Sequence, residues 1–220
     1  MSARAAPANR APRPGKAAVL PTSFYARDTE LVARELLGCV LECHTDAGVA
    51  IGRIVETEAY LGEHDLACHA AAGRTRRTEP LYGPPGTSYV YFIYGVHWCF
   101  NAVTREAGLP SAVLVRAIEP VSGLDLMRSR RAAARRDPDL TNGPGKLCKA
   151  LGIDARHNAL TLDQRPIVIR EGVAVPENQI LVTPRIGIRE CADWPLRWLV
   201  ADNPYVSRTP AHFTRTQPDR

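Results

Sequence analysis

The stretch Thr87-Ser88-Tyr89-Val90-Tyr91-Phe92-Ile93-Tyr94-Gly95-Val96-His97-Trp98-Cys99-Phe100-Asn101-Ala102-Val103 decides the fold class. It is dense in aromatic and β-branched residues, which suit a pleated and half-buried surface, and it breaks once, at Tyr94-Gly95. Two strands, 87–94 and 98–103, therefore follow each other across a sharp turn. A third of the same character, Ala112–Ile118, comes next. Strands in succession without intervening helices pair antiparallel, whereas a doubly wound parallel sheet needs crossover helices. The class is α+β. Alternation places Tyr89 and Tyr91 on one face of their strand, with Val90 and Phe92 on the other.

Moving toward the N-terminus, 39–56 reads as a hairpin, Cys39–Cys43 and Val49–Val55, turned at Asp46-Ala47-Gly48. Before it, Asp28 caps a helix carrying Leu31, Val32, Leu36 and Leu37, which Gly38 stops. Residues 1–20 are rich in Ala, Pro and Arg without apolar period and read as a disordered basic tail. Moving toward the C-terminus, 122–136 reads as a basic helix and 145–151 as a shorter one. Short strands are expected near 167–170, 179–183, 185–188 and 196–200. One domain over 21–208 results, with a second short tail at 209–220.

With 220 residues and 45% hydrophobic content the chain can bury a core without covalent staples. No apolar run approaches the roughly 18 residues that span a bilayer, so no membrane partner is expected. Six cysteines are scattered without a CxxC pair and follow no signal peptide, which predicts reduced thiols in a cytosolic protein. Arg4, Arg10, Arg13 and Lys16 supply four of the five net positive charges, leaving the body near neutral. Nucleic-acid binding would then rest on local patches. The densest is Arg128, Arg130, Arg131, Arg135 and Arg136, with Asp125 and Asp137 nearby, a pattern that also suits a solvated helix face.

Three constellations carry chemistry. In Glu56-Thr57-Glu58-Ala59-Tyr60, where the second hairpin strand ends, alternation sets both glutamates on one face, so that one could act as a base and the other as its support. Tyr94, at a strand tip beside a glycine, offers a flat surface on which a nucleobase can stack, typically worth ~1–3 kcal/mol. His64, Cys68 and His69 supply three metal-compatible side chains, yet no second cluster completes a site, and no metal is expected. Asn142-Gly143-Pro144-Gly145-Lys146 falls short of a P-loop, since Leu140 replaces the first glycine and Leu147 the hydroxyl residue. What remains, at Gly143, Gly145 and Lys146, is a glycine turn feeding a helix N-terminus that could seat a backbone phosphate.

In order along 22–208 stand Arg53–Gly62 with its E-T-E-A-Y core, Asp65 and His69, Gly83-Pro84-Pro85-Gly86, Tyr89–Gly95, Asn101, Val113–Pro120, Gly143–Leu147 and Arg185–Ile188. These spaced blocks resemble the alkyladenine (3-methyladenine) DNA glycosylase family. The resemblance implies a single mixed domain with a curved, mainly antiparallel sheet flanked by helices. It implies that Glu58 is the general base, that Arg116 orients the attacking water, and that the backbone carbonyl of Ile186 is a further water ligand. Tyr60, His69 and Tyr91 would line the pocket of a flipped base, and Asn101 would crowd the exocyclic amine of guanine. Tyr94 would be the wedge that fills the gap in the base stack. The implied partner is double-stranded DNA containing damaged purines, met by a monomer that needs no cofactor. The place of action would be the cytoplasm and nucleoid of a bacterium, or the nucleus of a eukaryote. No lysine lies near the proposed catalytic and base-pocket motifs, which argues against an imine-forming lyase. Two rivals, a non-catalytic nucleic-acid-binding module and a hydrolase of free nucleosides, use some of the same residues. The first has no use for Glu58, the second none for Tyr94.

Overall fold

A computed structural model describes residues 17–208. Two helices open the fold, α1 (Thr22–Tyr25) and α2 (Thr29–Glu35), followed by β1 (Val40–Thr45), β2 (Gly48–Tyr60), β3 (Ser88–Ile93), β4 (His97–Thr104) and β5 (Ser111–Ser122). Helices α3 (Leu124–Arg130) and α4 (Pro144–Leu151) come next, then β6 (Ile167–Arg170), β7 (Ile180–Thr183) and β8 (Arg197–Val200). The Asp28 carboxylate accepts from the backbone N–H groups of Glu30 and Leu31, which is the cap the sequence predicts for α2.

All pairings between these strands are antiparallel, in the order β3-β4-β5-β2-β1-β6. The long strand β2 organises the sheet. One edge pairs with β5, while the other takes β1 up to Arg53 and β8 from Glu56 to Glu58. Its length corrects the expectation that the hairpin strand ends near residue 55. Charged residues can continue inside a buried strand here because each finds an opposite charge. Residues 17–20 also belong to the fold rather than to a tail, with Val19 bridged to Arg170 and Leu20 buried. Residues 1–16 and 209–220 lie outside the described residues.

The two faces of the sheet do different things. One carries Val90, Phe100, Ala102, Val113, Val115 and Ala59 into the main apolar cluster, with Leu36 of α2 and Leu147 and Leu151 of α4. The other carries Tyr89, Tyr91, Asn101, Leu114 and Arg116 into a cavity. Strict alternation would put Ile54 on the face of Glu56 and Ile118 on the face of Arg116. A double irregularity of register, at Ile54/Glu56 on β2 and across Ala117 to Val115 on β5, changes the parity of both strands. Ile54 and Ile118 thereby stay in the core while Glu56, Glu58 and Arg116 turn to the opposite side.

Two further expectations need correction. The helix predicted over 122–136 is only α3: β5 runs to Ser122, Gly123 turns the chain at φ 77°, and the helix ends at Arg130. Arg128 pairs with Asp125 and Asp137, Arg136 with Asp139, Arg130 donates to the carbonyls of Ala150 and Leu151, and Arg131 to that of Asp139. Four of the five arginines of the supposed patch are thus engaged within the fold. Arg185–Ile188 is a loop rather than a strand, with Gly187 at φ 77°. Its polar groups turn inward to side chains rather than to a neighbouring strand.

Candidate active site

The cavity on the polar face of the sheet has a volume of about 500 Å³, within the range of small-ligand sites. Its floor is the strand face just described, resting on a second, smaller apolar cluster that includes Cys68, Leu81, Tyr82, Tyr89 and Ala112. One wall is the segment after β2, which brings His69. Another is the Ile186–Ile188 loop, and a third is the start of α4 at Gly143–Lys146. Gly145 is required there, since a Cβ at this position would stand 2.7 Å from Cγ of His97.

Glu58 is fully buried behind this cavity. One carboxylate oxygen accepts from the hydroxyl of Tyr60 at 3.0 Å and from Nη1 of Arg116 at 3.1 Å; the other accepts from the backbone N–H of Ile186 at 2.7 Å. These three donors line the cavity, so they separate the carboxylate from it by a single layer of side chain and backbone. The sequence singled out Tyr60, Arg116 and Ile186 as pocket or water-binding residues without pairing them with Glu58; the structure brings all three to its carboxylate, Ile186 through its N–H.

Glu56 has a different position. It accepts from Nε of Arg116 at 3.0 Å, Nε of Arg197 at 2.7 Å, and both the backbone N–H and the hydroxyl of Ser207 at 2.7 and 2.6 Å. Burial works to raise its pKa, but the Arg116 and Arg197 charges and the Ser207 bonds outweigh burial and hold it below the usual carboxylate range. Glu56 is a structural anion that anchors Arg116, leaving Glu58 as the carboxylate next to the cavity.

The aromatic wall is ordered by one hydrogen bond, Nδ1 of His69 to the hydroxyl of Tyr89 at 2.8 Å, and by an edge contact of His69 on Tyr91 with ring centres 4.5 Å apart. Burial, with a smaller contribution from the nearby Arg77 charge, lowers the His69 pKa to about 4, so the imidazole is neutral at pH 7. Asn101 is held by a bond from its Nδ2 to the carbonyl of Tyr89 at 2.9 Å. Tyr94 stands at the rim, 80% exposed, at the tip of the β3–β4 hairpin. Its φ of 54° is unusual for a residue with a bulky side chain, and with Gly95 at 69° it reverses the chain tightly. Phe92 and Val96 are exposed beside it.

Three charged residues important to this geometry carried no assigned role in the sequence. Asp65 and Arg185 form a buried bidentate pair, at 2.5 and 2.8 Å, and Arg197 closes the far side of Glu56. Their burial could not be read from charge alone; for Asp65 and Arg185 the signal was their position within the recognisable blocks, and Arg197 had none. The sequence expectation that lysine is remote from the site is wrong, because Lys146 lines the cavity with Nζ bonded to Oδ1 of Asn142 at 2.6 Å. The His64/Cys68/His69 cluster is dispersed: His64 is exposed, Cys68 lies in the small core, and His69 faces the cavity. Among the described residues, no three His, Cys, Asp or Glu side chains are arranged to hold a metal ion.

Known proteins resemble this chain over most of its length. A protein of Myxococcus xanthus is 50% identical over 194 residues, covering 87% of this chain and 94% of its own length, and carries the name "Putative 3-methyladenine DNA glycosylase". Proteins of the same name from Methanoculleus marisnigri and Carboxydothermus hydrogenoformans are 49% and 46% identical, each covering 86% of this chain and 98% and 99% of their own lengths. The model of the methylpurine-DNA glycosylase family matches residues 23–204, which contain every side chain of the cavity, and the chain belongs to that family.

Proposed function

We propose that this protein excises damaged purines from duplex DNA by hydrolysing the N-glycosidic bond, leaving an abasic site. The observation that carries this reading is Glu58, a desolvated carboxylate held by three donors at the back of an aromatic cavity whose rim bears the exposed Tyr94. A base inside the double helix cannot reach such a cavity, so the nucleotide must rotate out, and a damaged base does so at lower cost. Tyr94, exposed at the rim, would fill the space left behind.

Purines alkylated at N3 or N7 carry positive charge, which the faces of Tyr60 and Tyr91 attract and the neutral His69 does not repel. Such a purine is a good leaving group, so one carboxylate suffices where ordinary glycosidases use two. A water admitted between Tyr60, Arg116 and Ile186 gives its proton to Glu58 and its oxygen to C1′ of the sugar. The bond to the purine nitrogen breaks with its electron pair on the base, and the Glu58 anion stabilises the positive charge that develops on the sugar. Hydrolysis of this kind requires no cofactor. Neutral purines such as hypoxanthine would additionally need protonation on the base. Asn101 would exclude guanine by contact with its exocyclic amine; the bond to Tyr89 prevents the amide from moving aside. Gly143, Gly145 and Lys146 sit beside the cavity, where a backbone phosphate next to the flipped nucleotide would pass. A monomer is sufficient for all of this.

The test is direct. Duplexes carrying a single hypoxanthine, or 3-methyladenine introduced by a methylating agent, are incubated with the protein and then treated with alkali. Strand cleavage only after alkali, undiminished by EDTA, is the expected result. Cleavage without alkali together with a borohydride-trapped adduct would instead assign a lyase step, with Lys146 as the nucleophile. Absence of any released base would leave a binding module; release from free nucleosides alone would leave a nucleosidase.

A further inference from the structure

The carboxylate of Glu58 is held from two sides by independent devices. Arg116 comes from β5 and is fixed by Glu56. The two neutral donors, the Tyr60 hydroxyl and the Ile186 N–H, come from the end of β2 and from the 184–188 loop, where no strand pairing fixes the backbone. Both of these donors meet at one residue, Arg185. Its guanidinium lies over the ring of Tyr60 at 4.7 Å from the ring centre, and its backbone leads directly into Ile186. The same guanidinium forms the bidentate pair with Asp65 and donates to the carbonyl of Ala59 at 3.0 Å. Asp65 is fixed in turn by the backbone N–H groups of Leu61 and Ala67, at 3.1 Å each. A planar fork matched to a carboxylate sets orientation as well as distance.

We infer that Asp65 and Arg185 form a positioning clamp that holds the neutral donors on Glu58 and so keeps the carboxylate aimed at the attacking water. The inference rests on the proposed role of Glu58. The pair touches neither the cavity's expected occupant nor the reacting atoms; it acts through Tyr60 and Ile186. Loosening these donors leaves the attacking water poorly placed, and misplacement by about an ångström is enough to cost on the order of 100-fold in rate.

The experiment uses Asp65→Asn and Arg185→Lys in the full chain, with single-turnover excision of 3-methyladenine from methylated duplex DNA. Both variants are expected to lose roughly 10- to 100-fold in the excision rate constant. Affinity for a duplex carrying a tetrahydrofuran abasic-site analogue should change less than threefold. Arg185→Lys, which keeps the charge but not the fork, should lose less than Asp65→Asn. Folded variants with a wild-type rate overturn the clamp, as does a loss confined to DNA affinity. A measurement on the unmodified protein guards against variants that do not fold: amide hydrogen exchange at Ile186. Protection well beyond that of the neighbouring loop amides supports the clamp, and exchange at the rate of an open loop overturns it. If the unmodified protein releases no base at all, the proposed function fails, whatever the Ile186 amide shows.

Discussion

At the scale of single residues, the site separates two adjacent glutamates that the sequence could not tell apart. Alternation put Glu56 and Glu58 on one face, which is where they stand, but only the structure shows that Glu56 is saturated by two arginines and Ser207. Glu58→Gln should therefore lower excision at least 1,000-fold while leaving binding to abasic-analogue DNA intact, since the amide keeps the shape without the basicity, a loss on the order of 4 kcal/mol in transition-state stabilisation. Near-normal single-turnover release by this variant would remove Glu58 from the chemistry. His69 supplies a second prediction, in stability. Its pKa is lowered to about 4 in the fold from an ordinary 6.5, so the unfolded chain takes up the proton first as pH falls. The stabilisation is complete above pH 6.5 and is lost progressively down to pH 4, by up to about 3 kcal/mol for a shift of this size. Glu56 adds its own loss only at lower pH, below its ordinary 4.5. Thermal melts of the protein and of His69→Gln between pH 7 and 4.5 should diverge at the neutral end and converge at the acidic end. Parallel curves would show that His69 is not held neutral.

Among the elements, the β3–β4 hairpin was the most legible, because its aromatic alternation and the Tyr94-Gly95 break correspond to one local geometry. Its tip also decides between two readings of Tyr94. A residue that merely closed a strand in the core would be buried, and Tyr94 is 80% exposed. Tyr94→Ala should accordingly leave the melting temperature unchanged within the effect of about 0.5 kcal/mol usual for surface positions. The same variant should flip lesions less well, because the wedge recovers an unstacking cost of a few kcal/mol through contacts made only in the flipped complex. Fluorescence of 2-aminopurine placed beside the lesion reports flipping directly, and a variant that is thermally intact yet flips normally would falsify the wedge. The less legible elements share a physical cause. Helix α3 is shorter than its sequence suggests because its arginines reach across to Asp137 and to carbonyl groups of α4. The Arg185–Ile188 segment is a loop because its partners are Asp65 and Glu58, 120 and 128 residues away. Local pattern does not encode pairings of that range. The family blocks marked these positions without saying what each does.

For the molecule as a whole, the α+β class, the antiparallel sheet and the membership of one family were legible, since they depend on strand succession and on motifs spread over most of the chain. The parity change on β2 and β5 was not, because a shift of register leaves no mark in composition. Charge is the remaining property of the whole chain, and the fold changes its meaning. Of the basic patch expected over 128–136, Arg128 and Arg136 are paired with acids, and Arg130 and Arg131 are tied to backbone carbonyls. Arg4, Arg10, Arg13 and Lys16 hold four of the five net charges, and Arg215 and Arg220 against Asp219 hold the fifth, so 17–208 carries no net charge. Sequence-independent attraction to DNA should then depend strongly on residues 1–16. Each cationic contact with a phosphate contributes roughly 0.9 to the slope of log affinity against log salt. Deleting residues 1–16 should flatten that slope by up to about 3.6 and weaken binding to undamaged duplex most at low salt. Excision of a damaged purine with enzyme at saturation should keep its rate constant, because Glu58, its three donors and the Glu56 network behind them lie within 56–207. Fluorescence anisotropy over a series of salt concentrations, paired with single-turnover excision, separates the two quantities. An unchanged slope would return DNA attraction to the folded body and to Lys146 beside the cavity; a reduced rate constant at saturation would bring the N-terminal segment into the active site itself.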